Sequence, residues 1–113
     1  MKFKAFIIEN DQLSLYGGGY GNGYVLLPKE HDLWGSYYDS EEIQNLDVHG
    51  GITFSEKVTE GLLINKRFGP YLDEKDLDKW IIGFDTKHFE DTIEIWSKEM
   101  VEKEIIKLIG QLN

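Results

Sequence analysis

The spacing of apolar and polar residues predicts several short strands followed by one long helix. Residues 2–8 alternate apolar side chains between two faces, which is typical of a first strand. Residues 24–27 are interpreted as a returning strand, and Pro28 either ends it or places it at a sheet edge, because proline has no N–H to donate to a sheet. Residues 80–85 form an apolar strand of the buried type.

A glycine- and tyrosine-rich stretch over residues 16–24 stands between the first two strands. Residues 13–16 are interpreted as a short strand leading into it. Asn22 and Gly23 predict a tight hairpin turn, because both central residues of a type I′ turn need positive φ. The stretch is either a mobile flap over a binding site or an exposed loop with incidental tyrosines.

The remaining segments are shorter and more polar until the C-terminus. Ser40 is predicted to be the N-cap of a short helix, because acidic residues follow it. Residues 58–68 fit either a strand or a short helix, and residues 73–79 either a short helix or a solvated loop. Residues 51–55 and 92–96 are interpreted as two further strands.

A helical period begins after Ser97, the predicted N-cap of the last helix. Its apolar face consists of Val101, Ile105, Leu108, Ile109 and Leu112. The expected fold class is α+β: a small antiparallel sheet with a C-terminal amphipathic helix packed on one face. The expected organisation is a single domain, residues 1–113.

Composition and charge narrow the function classes. The chain has no cysteine, which excludes a thiolate metal site and a cysteine nucleophile. Its formal net charge of −9 makes a nucleic acid polymer an unlikely partner, because like charges repel at long range. No apolar run approaches the length of a membrane span and no signal peptide is recognised, so a soluble cytosolic protein without a membrane partner is expected.

The main candidate site is the segment of residues 48–55. His49 is followed by Gly50 and Gly51, which expose backbone N–H groups beside an imidazole, and the hydroxyl of Thr53 comes next. These groups suit a polar ligand. The alternative is a tight turn with His49 packed and hydrogen-bonded.

Asp85 and His88 follow directly after the apolar strand, at a point where functional side chains often emerge onto loops. If that strand lies beside the strand of residues 51–55, both side chains can face His49. Two histidines and a carboxylate are compatible with an open divalent-metal site, with a metal-free general base, or with binding without turnover. Alternatively, Asp85 only caps a turn and His88 lies at the surface. No bound cofactor or metal is predicted.

Three blocks, residues 23–35, 47–55 and 80–88, resemble motifs of a small phage- and prophage-encoded family of unassigned function. The family shows Gly-Tyr-Val…Pro…His-Pro-Leu-Tyr-Gly, His-Gly-Gly-x-Thr-Phe and Gly-Phe-Asp-Cys-x-His. Asp32 stands where the family often has proline, and Thr86 where it often has cysteine, so a role of that cysteine does not carry over. The resemblance implies one site that contains His31, His49, Asp85 and His88.

The functional hypothesis is a non-enzymatic protein of the host cytoplasm that sequesters a small, nucleotide-derived anionic ligand. The resemblance implies phage origin, and small phage proteins often block host defence signalling. Tyr24, Trp34 and Tyr38 are expected to provide stacking surfaces for a base. A phosphodiesterase-type hydrolase that uses His49, Asp85 and His88 is the first alternative. An acidic inhibitor of a host protein is the second, and homo-oligomerisation stays open.

Overall fold

The computed structural model describes residues 2–11 and 18–113. Four strands, three α-helices and two 3₁₀ turns are defined in this part of the chain. In chain order they are β1 (Ala5–Glu9), β2 (Gly21–Leu27), α1 (Glu41–Gln44), β3 (Phe54–Lys57), α2 (Glu60–Leu63), the 3₁₀ turns Gly69–Tyr71 and Glu74–Asp76, β4 (Trp80–Phe84) and α3 (Lys98–Leu112).

The strands form one antiparallel sheet in the order β1-β2-β4-β3. Val25 of β2 lies opposite Ile82 of β4, and Phe54 of β3 lies opposite Gly83. β4, the last strand in sequence, is therefore inserted between β2 and β3. Helix α3 packs on the sheet, which confirms the expected α+β class.

The two faces of the sheet bury different cores. The face covered by α3 is mainly aliphatic, although Trp80 and Phe84 are also buried there. The predicted apolar stripe of the helix is buried on this face through Val101, Ile105, Leu108 and Leu112. Ser97 is the N-cap as predicted, and its hydroxyl accepts the backbone N–H of Met100. The sequence pattern is therefore confirmed for both the helix and its start.

The opposite face combines aliphatic residues such as Leu26 and Ile81 with a group of aromatic rings, and we call it the aromatic face. The ring of Tyr24 stacks on Phe6 at a centroid distance of 5.3 Å and meets Phe54 and Phe68 edge-on. Phe6 also stacks on Tyr71 at 5.0 Å. Such offset and edge-to-face pairs stabilise a core beyond the area that they bury.

The predicted hairpin turn at Asn22 and Gly23 is wrong, because both residues lie inside β2. Asn22 pairs with Ile8, and Gly23 pairs with Ile7 and with Phe84. A Cβ at Gly23 would stand 2.6 Å from the Phe84 ring. Glycine is needed here for close packing rather than for positive φ.

The prediction of a last strand over residues 92–96 is also wrong. The backbone N–H of Trp96 donates to the Thr92 carbonyl at 2.7 Å, which closes a turn. The hydroxyl of Thr92 accepts the N–H of Ile95. This local hydrogen bonding competes with strand pairing. The predicted strand over residues 13–16 lies outside the described residues, as do residues 16 and 17 of the stretch predicted to be a flap or an exposed loop. Residues 21–24 of that stretch are buried in β2.

The polar run over residues 73–79 forms a 3₁₀ turn built around the buried carboxylate of Asp76. Asp76 accepts hydrogen bonds from the Lys4 ammonium, from Lys79 at 3.2 Å and from the Asp73 N–H at 3.0 Å. Burial alone would raise the pKa of Asp76, but these hydrogen bonds outweigh it and hold the pKa below its ordinary value. The turn thereby fixes the segment that precedes β1.

Candidate functional site

The pairing of β3 with β4 builds the candidate site. The Thr53 N–H donates to the Gly83 carbonyl at 2.9 Å, just before β3 begins. The segment that precedes β3 therefore lies beside the segment that follows β4. This is the adjacency on which the sequence prediction for His49, Asp85 and His88 depended, and the structure contains it.

Two imidazoles share one carboxylate at this junction. His49 Nε2 donates to Asp91 Oδ1 at 2.8 Å, and His88 Nδ1 donates to Asp91 Oδ2 at 2.8 Å. The rings of His49 and His88 meet edge-on with centroids 4.9 Å apart. The backbone N–H of His88 also donates to Asp91 Oδ2 at 2.9 Å. We call His49, His88 and Asp91 the His–Asp–His cluster.

Asp91 is the residue that the sequence prediction missed. Its side chain is only 5% exposed. Burial would raise its pKa, but the hydrogen bonds from His49 and from the backbone and ring of His88 outweigh it and lower the pKa. Its signal in the sequence is a carboxylate three residues after a histidine. In the structure this spacing forms a turn, in which the Asp91 N–H donates to the His88 carbonyl. Spacing of this kind is common, so it did not distinguish Asp91 from its acidic neighbours.

Three further residues fix the two imidazoles. Trp96 stacks on the His49 ring at 4.2 Å, and Glu104 of α3 accepts the backbone N–H of His49 at 2.9 Å. Gly50 has a φ of 70°, and a Cβ there would stand 2.3 Å from Cε1 of His88. The glycine therefore provides both a left-handed backbone and room for the ring.

Asp85 and Thr53 lie next to the cluster. The Thr53 hydroxyl donates to Asp85 Oδ2 at 3.0 Å, and the Lys87 N–H donates to Asp85 Oδ1 at 3.1 Å. That same Oδ1 lies 3.5 Å from His88 Nε2, which is an ion-pair distance rather than a tight hydrogen bond. His88 thus has one carboxylate near each ring nitrogen.

A cleft of about 500 Å³ opens beside the cluster, a volume within the usual range for small-molecule sites. Its lining combines the apolar side chains of Phe89, Ile95 and Trp96 with the His–Asp–His cluster and Glu90. The Phe89 ring is fully exposed and Ile95 is 59% exposed. Apolar side chains displayed next to polar ones mark a binding surface more often than a plain surface.

The structure does not bring all the predicted site residues together. The His31 ring contacts Phe3, donates from Nε2 to the Leu112 carbonyl at 2.8 Å and accepts the Leu33 N–H at Nδ1. Both ring nitrogens are therefore used in joining the end of α3 to the loop after β2. His31 contacts none of the cluster residues, so the single site that the family resemblance implied is divided.

Two of the predicted stacking residues are also elsewhere. Trp34 packs against Trp80 and donates from Nε1 to the Asp78 carbonyl at 2.7 Å. Tyr38 is partly exposed, and its backbone N–H donates to the Ser55 hydroxyl at 2.7 Å. Gly51, with a φ of 77°, closes the turn before β3 through a hydrogen bond to the Val48 carbonyl. The contacts of Trp34 and Tyr38 were not predicted from the sequence, whereas Gly51 serves the tight turn that was the alternative interpretation of its segment.

Tyr24 belongs to a second, smaller cleft of about 200 Å³ on the aromatic face. This cleft also contains Asn22, Thr53, Arg67 and Asp85. The Tyr24 hydroxyl accepts a hydrogen bond from Arg67 at 3.0 Å. Burial raises the pKa of Tyr24, and the Arg67 charge offsets part of that increase. Thr53 and Asp85 consequently stand between the two clefts.

Comparison with known proteins supplies no relative: no family model, curated protein or solved structure matches the chain. The resemblance to a phage-encoded family therefore stays a prediction. Within residues 2–11 and 18–113, no helix combines the length and the apolar character that a membrane crossing requires.

Proposed function

We propose that the protein binds and sequesters a small nucleotide-derived ligand in the cleft beside the His–Asp–His cluster. The observation that carries the proposal is a single cleft whose lining contains both the exposed Phe89 ring and two oriented imidazoles. A base is planar and apolar on its faces, so it can stack on Phe89. The hydroxyl groups of the sugar would then face His49 and His88.

Exposed apolar side chains near the cleft support binding of a ligand that has an apolar surface. The loop after β4 exposes Phe89 and Ile95, which line the cleft, with exposed fractions of 101% and 59%. Burying such side chains against a ligand is favourable, because apolar area leaves water. The three sequence blocks that resemble a phage family add the biological part of the proposal, which is capture of a defence signal in the host cytoplasm.

Isothermal titration against a panel of cyclic dinucleotides and ADP-ribose derivatives tests the proposal. We expect binding by the native chain and a loss of about tenfold or more in Phe89→Ala, because base–aromatic stacking contributes about 1–3 kcal/mol. Ile64→Ala is the matched control, since Ile64 is 85% exposed but does not line the cleft. A folded protein that binds nothing in the panel would exclude the nucleotide ligand.

A hydrolase is the second candidate, and one contact favours it. Asp91 holds His88 through Nδ1, which is how a carboxylate orients an imidazole that acts as a general base. The Thr53 hydroxyl donates to Asp85, so it is not aligned as a nucleophile toward His88. Mass spectrometry of the ligand recovered after incubation separates the two functions: an intact ligand indicates sequestration and a cleaved ligand indicates turnover.

A further inference from the structure

We propose that His49, His88 and Asp91 bind a divalent transition-metal ion, with Zn²⁺ as the ion that suits these ligands. Each residue offers one ligand atom, and the three atoms all lie within 4.8 Å of one another. Two imidazole nitrogens and one carboxylate oxygen, with further positions open, are typical ligands of zinc and related ions. Mg²⁺ and Ca²⁺ prefer oxygen ligands alone. This inference goes beyond the proposed function because it requires no nucleotide.

The geometry needs only small adjustments to accept an ion. Each imidazole nitrogen now lies 2.8 Å from one oxygen of Asp91, with a proton between them. Bonds of about 2.0–2.2 Å to a central Zn²⁺ place its ligand atoms about 3–3.5 Å apart. Binding requires the tautomer in which each neutral imidazole carries its proton on the other ring nitrogen, His49 Nδ1 and His88 Nε2, so that the lone pairs of His49 Nε2 and His88 Nδ1 face the ion. The side chains would then separate only slightly.

The second ring nitrogen of His88 provides an independent observation. His88 Nε2 lies 3.5 Å from Asp85 Oδ1, and Asp85 is itself held by the Thr53 hydroxyl and the Lys87 N–H. A metal-bound histidine commonly directs its other N–H to a carboxylate, which fixes the ring and strengthens it as a ligand. If His88 had only a structural role, its hydrogen bond to Asp91 would be sufficient. The additional, anchored carboxylate is the arrangement found around metal ligands.

The imidazoles are also held in place before any ion arrives. Stacking on Trp96 restricts the His49 ring, and the Glu104 carboxylate fixes the His49 backbone. Close contact with Gly50 restricts His88. Preorganised ligands reduce the ordering cost of binding. The acidic groups of Asp85, Glu90 and Glu104 lie around the cluster, and a negative field of this kind attracts a cation.

Zinc titration of the purified chain without a histidine tag, after removal of metals by a chelator, tests the site. We expect one Zn²⁺ per chain by isothermal titration, and Co²⁺ should give visible absorption bands with imidazole nitrogen ligands. His49→Ala, His88→Ala and Asp91→Ala should each weaken binding by more than the roughly 10–100-fold that loss of an outer partner causes. Asp85→Asn should fall within that range.

His31→Ala is the control, because His31 is the remaining histidine and bonds the Leu112 carbonyl instead. Circular dichroism verifies that every variant is folded, and His49→Gln replaces His49→Ala if the latter unfolds. Failure of the folded native chain to bind Zn²⁺, or equal loss in His31→Ala, would overturn the inference. The zinc titration contains no nucleotide, so the two proposals are tested separately. Zinc binding without nucleotide binding would refute only the proposed function. Nucleotide binding without zinc binding would refute only the metal site.

Discussion

Asp76 and Asp91 are two buried carboxylates in similar settings with different partners. Their side chains are 2% and 5% exposed, each accepts one backbone N–H and two side-chain donors, and the pKa of each is lowered. Asp76 is bonded by two lysines, whereas Asp91 is bonded by two histidines. Burial and the direction of the pKa shift therefore do not separate a structural ion pair from a candidate site.

The partners make the difference. A lysine ammonium has no lone pair to offer, so Lys4 and Lys79 can only neutralise Asp76. A neutral imidazole has a lone pair, and it binds metals and exchanges protons near neutral pH. Asp91 also lines the cleft beside the His–Asp–His cluster, whereas Asp76 does not. The same chemical group, a carboxylate, thus stabilises a turn at Asp76 and orients two imidazoles at Asp91.

The largest expected effect is the loss of stability in Asp76→Ala. Removal of the carboxylate leaves two lysines and one N–H without their partner, and breaking a buried ion pair costs about 3–5 kcal/mol. The lysine side chains are 35% and 33% exposed, so water reduces the cost, and we expect about 2–3 kcal/mol in urea unfolding. Zinc binding should stay unchanged.

Two further variants serve as comparisons for Asp76→Ala. Asp47→Ala removes a carboxylate that is 81% exposed and paired with Lys107, and it should change the stability little. Asp91→Ala should abolish zinc binding, which Asp76→Ala leaves intact. If Asp76→Ala were as stable as the native chain, the Asp76 ion pairs would have no structural importance and the comparison would fail.

A smaller effect is expected on the unfolding free energy when the pH is lowered. The pKa of Asp76 in the folded chain lies below its ordinary value of 3.8, so the charged carboxylate stabilises the fold above that pH. The stabilisation is lost as the pH falls through the lower pKa of the folded state. Native protein should therefore exceed Asp76→Asn in unfolding free energy at about pH 6, and the difference should shrink at about pH 3. A difference that grows on acidification would contradict the assignment.

The smallest effect distinguishes two adjacent glycines. Gly50 and Gly51 have φ values of 70° and 77°, so alanine at either position strains the backbone by about 1–2 kcal/mol. Only Gly50 is crowded by the His88 ring, at 2.3 Å, whereas the nearest atom at Gly51 is 3.4 Å away. Because a side chain can rotate away, Gly50→Ala should be less stable than Gly51→Ala by only about 1 kcal/mol.

The same pair of variants also reports on the site. Gly50→Ala should displace His88 and weaken zinc binding, and Gly51→Ala should bind like the native chain. Thermal melts and zinc titrations of both variants provide the measurements. Equal zinc affinities would show that Gly50 does not position His88.

The elements with strong periodicity were predictable from the sequence. The stripe from Val101 to Leu112 identified α3, and the apolar run of β4 identified a buried strand. Gly23 was misassigned because the sequence cannot show whether a glycine serves a turn or a close contact with Phe84. The site was only partly predictable for a similar reason. His49 and His88 stand out by their rarity, but Asp91 is one of many acids, and its role depends on partners brought together by the sheet.

The insertion of β4 between β2 and β3 has a consequence for the order of folding. β2 acquires its second neighbour only after more than half of the chain has been synthesised, and pairings between distant segments form slowly because their loops must close first. His49 acquires its partners Asp91 and Glu104 later still, because both residues follow β4 in the chain. The cluster should be among the last features to assemble, so its capacity to capture an ion or ligand would report that the whole chain has reached its native state.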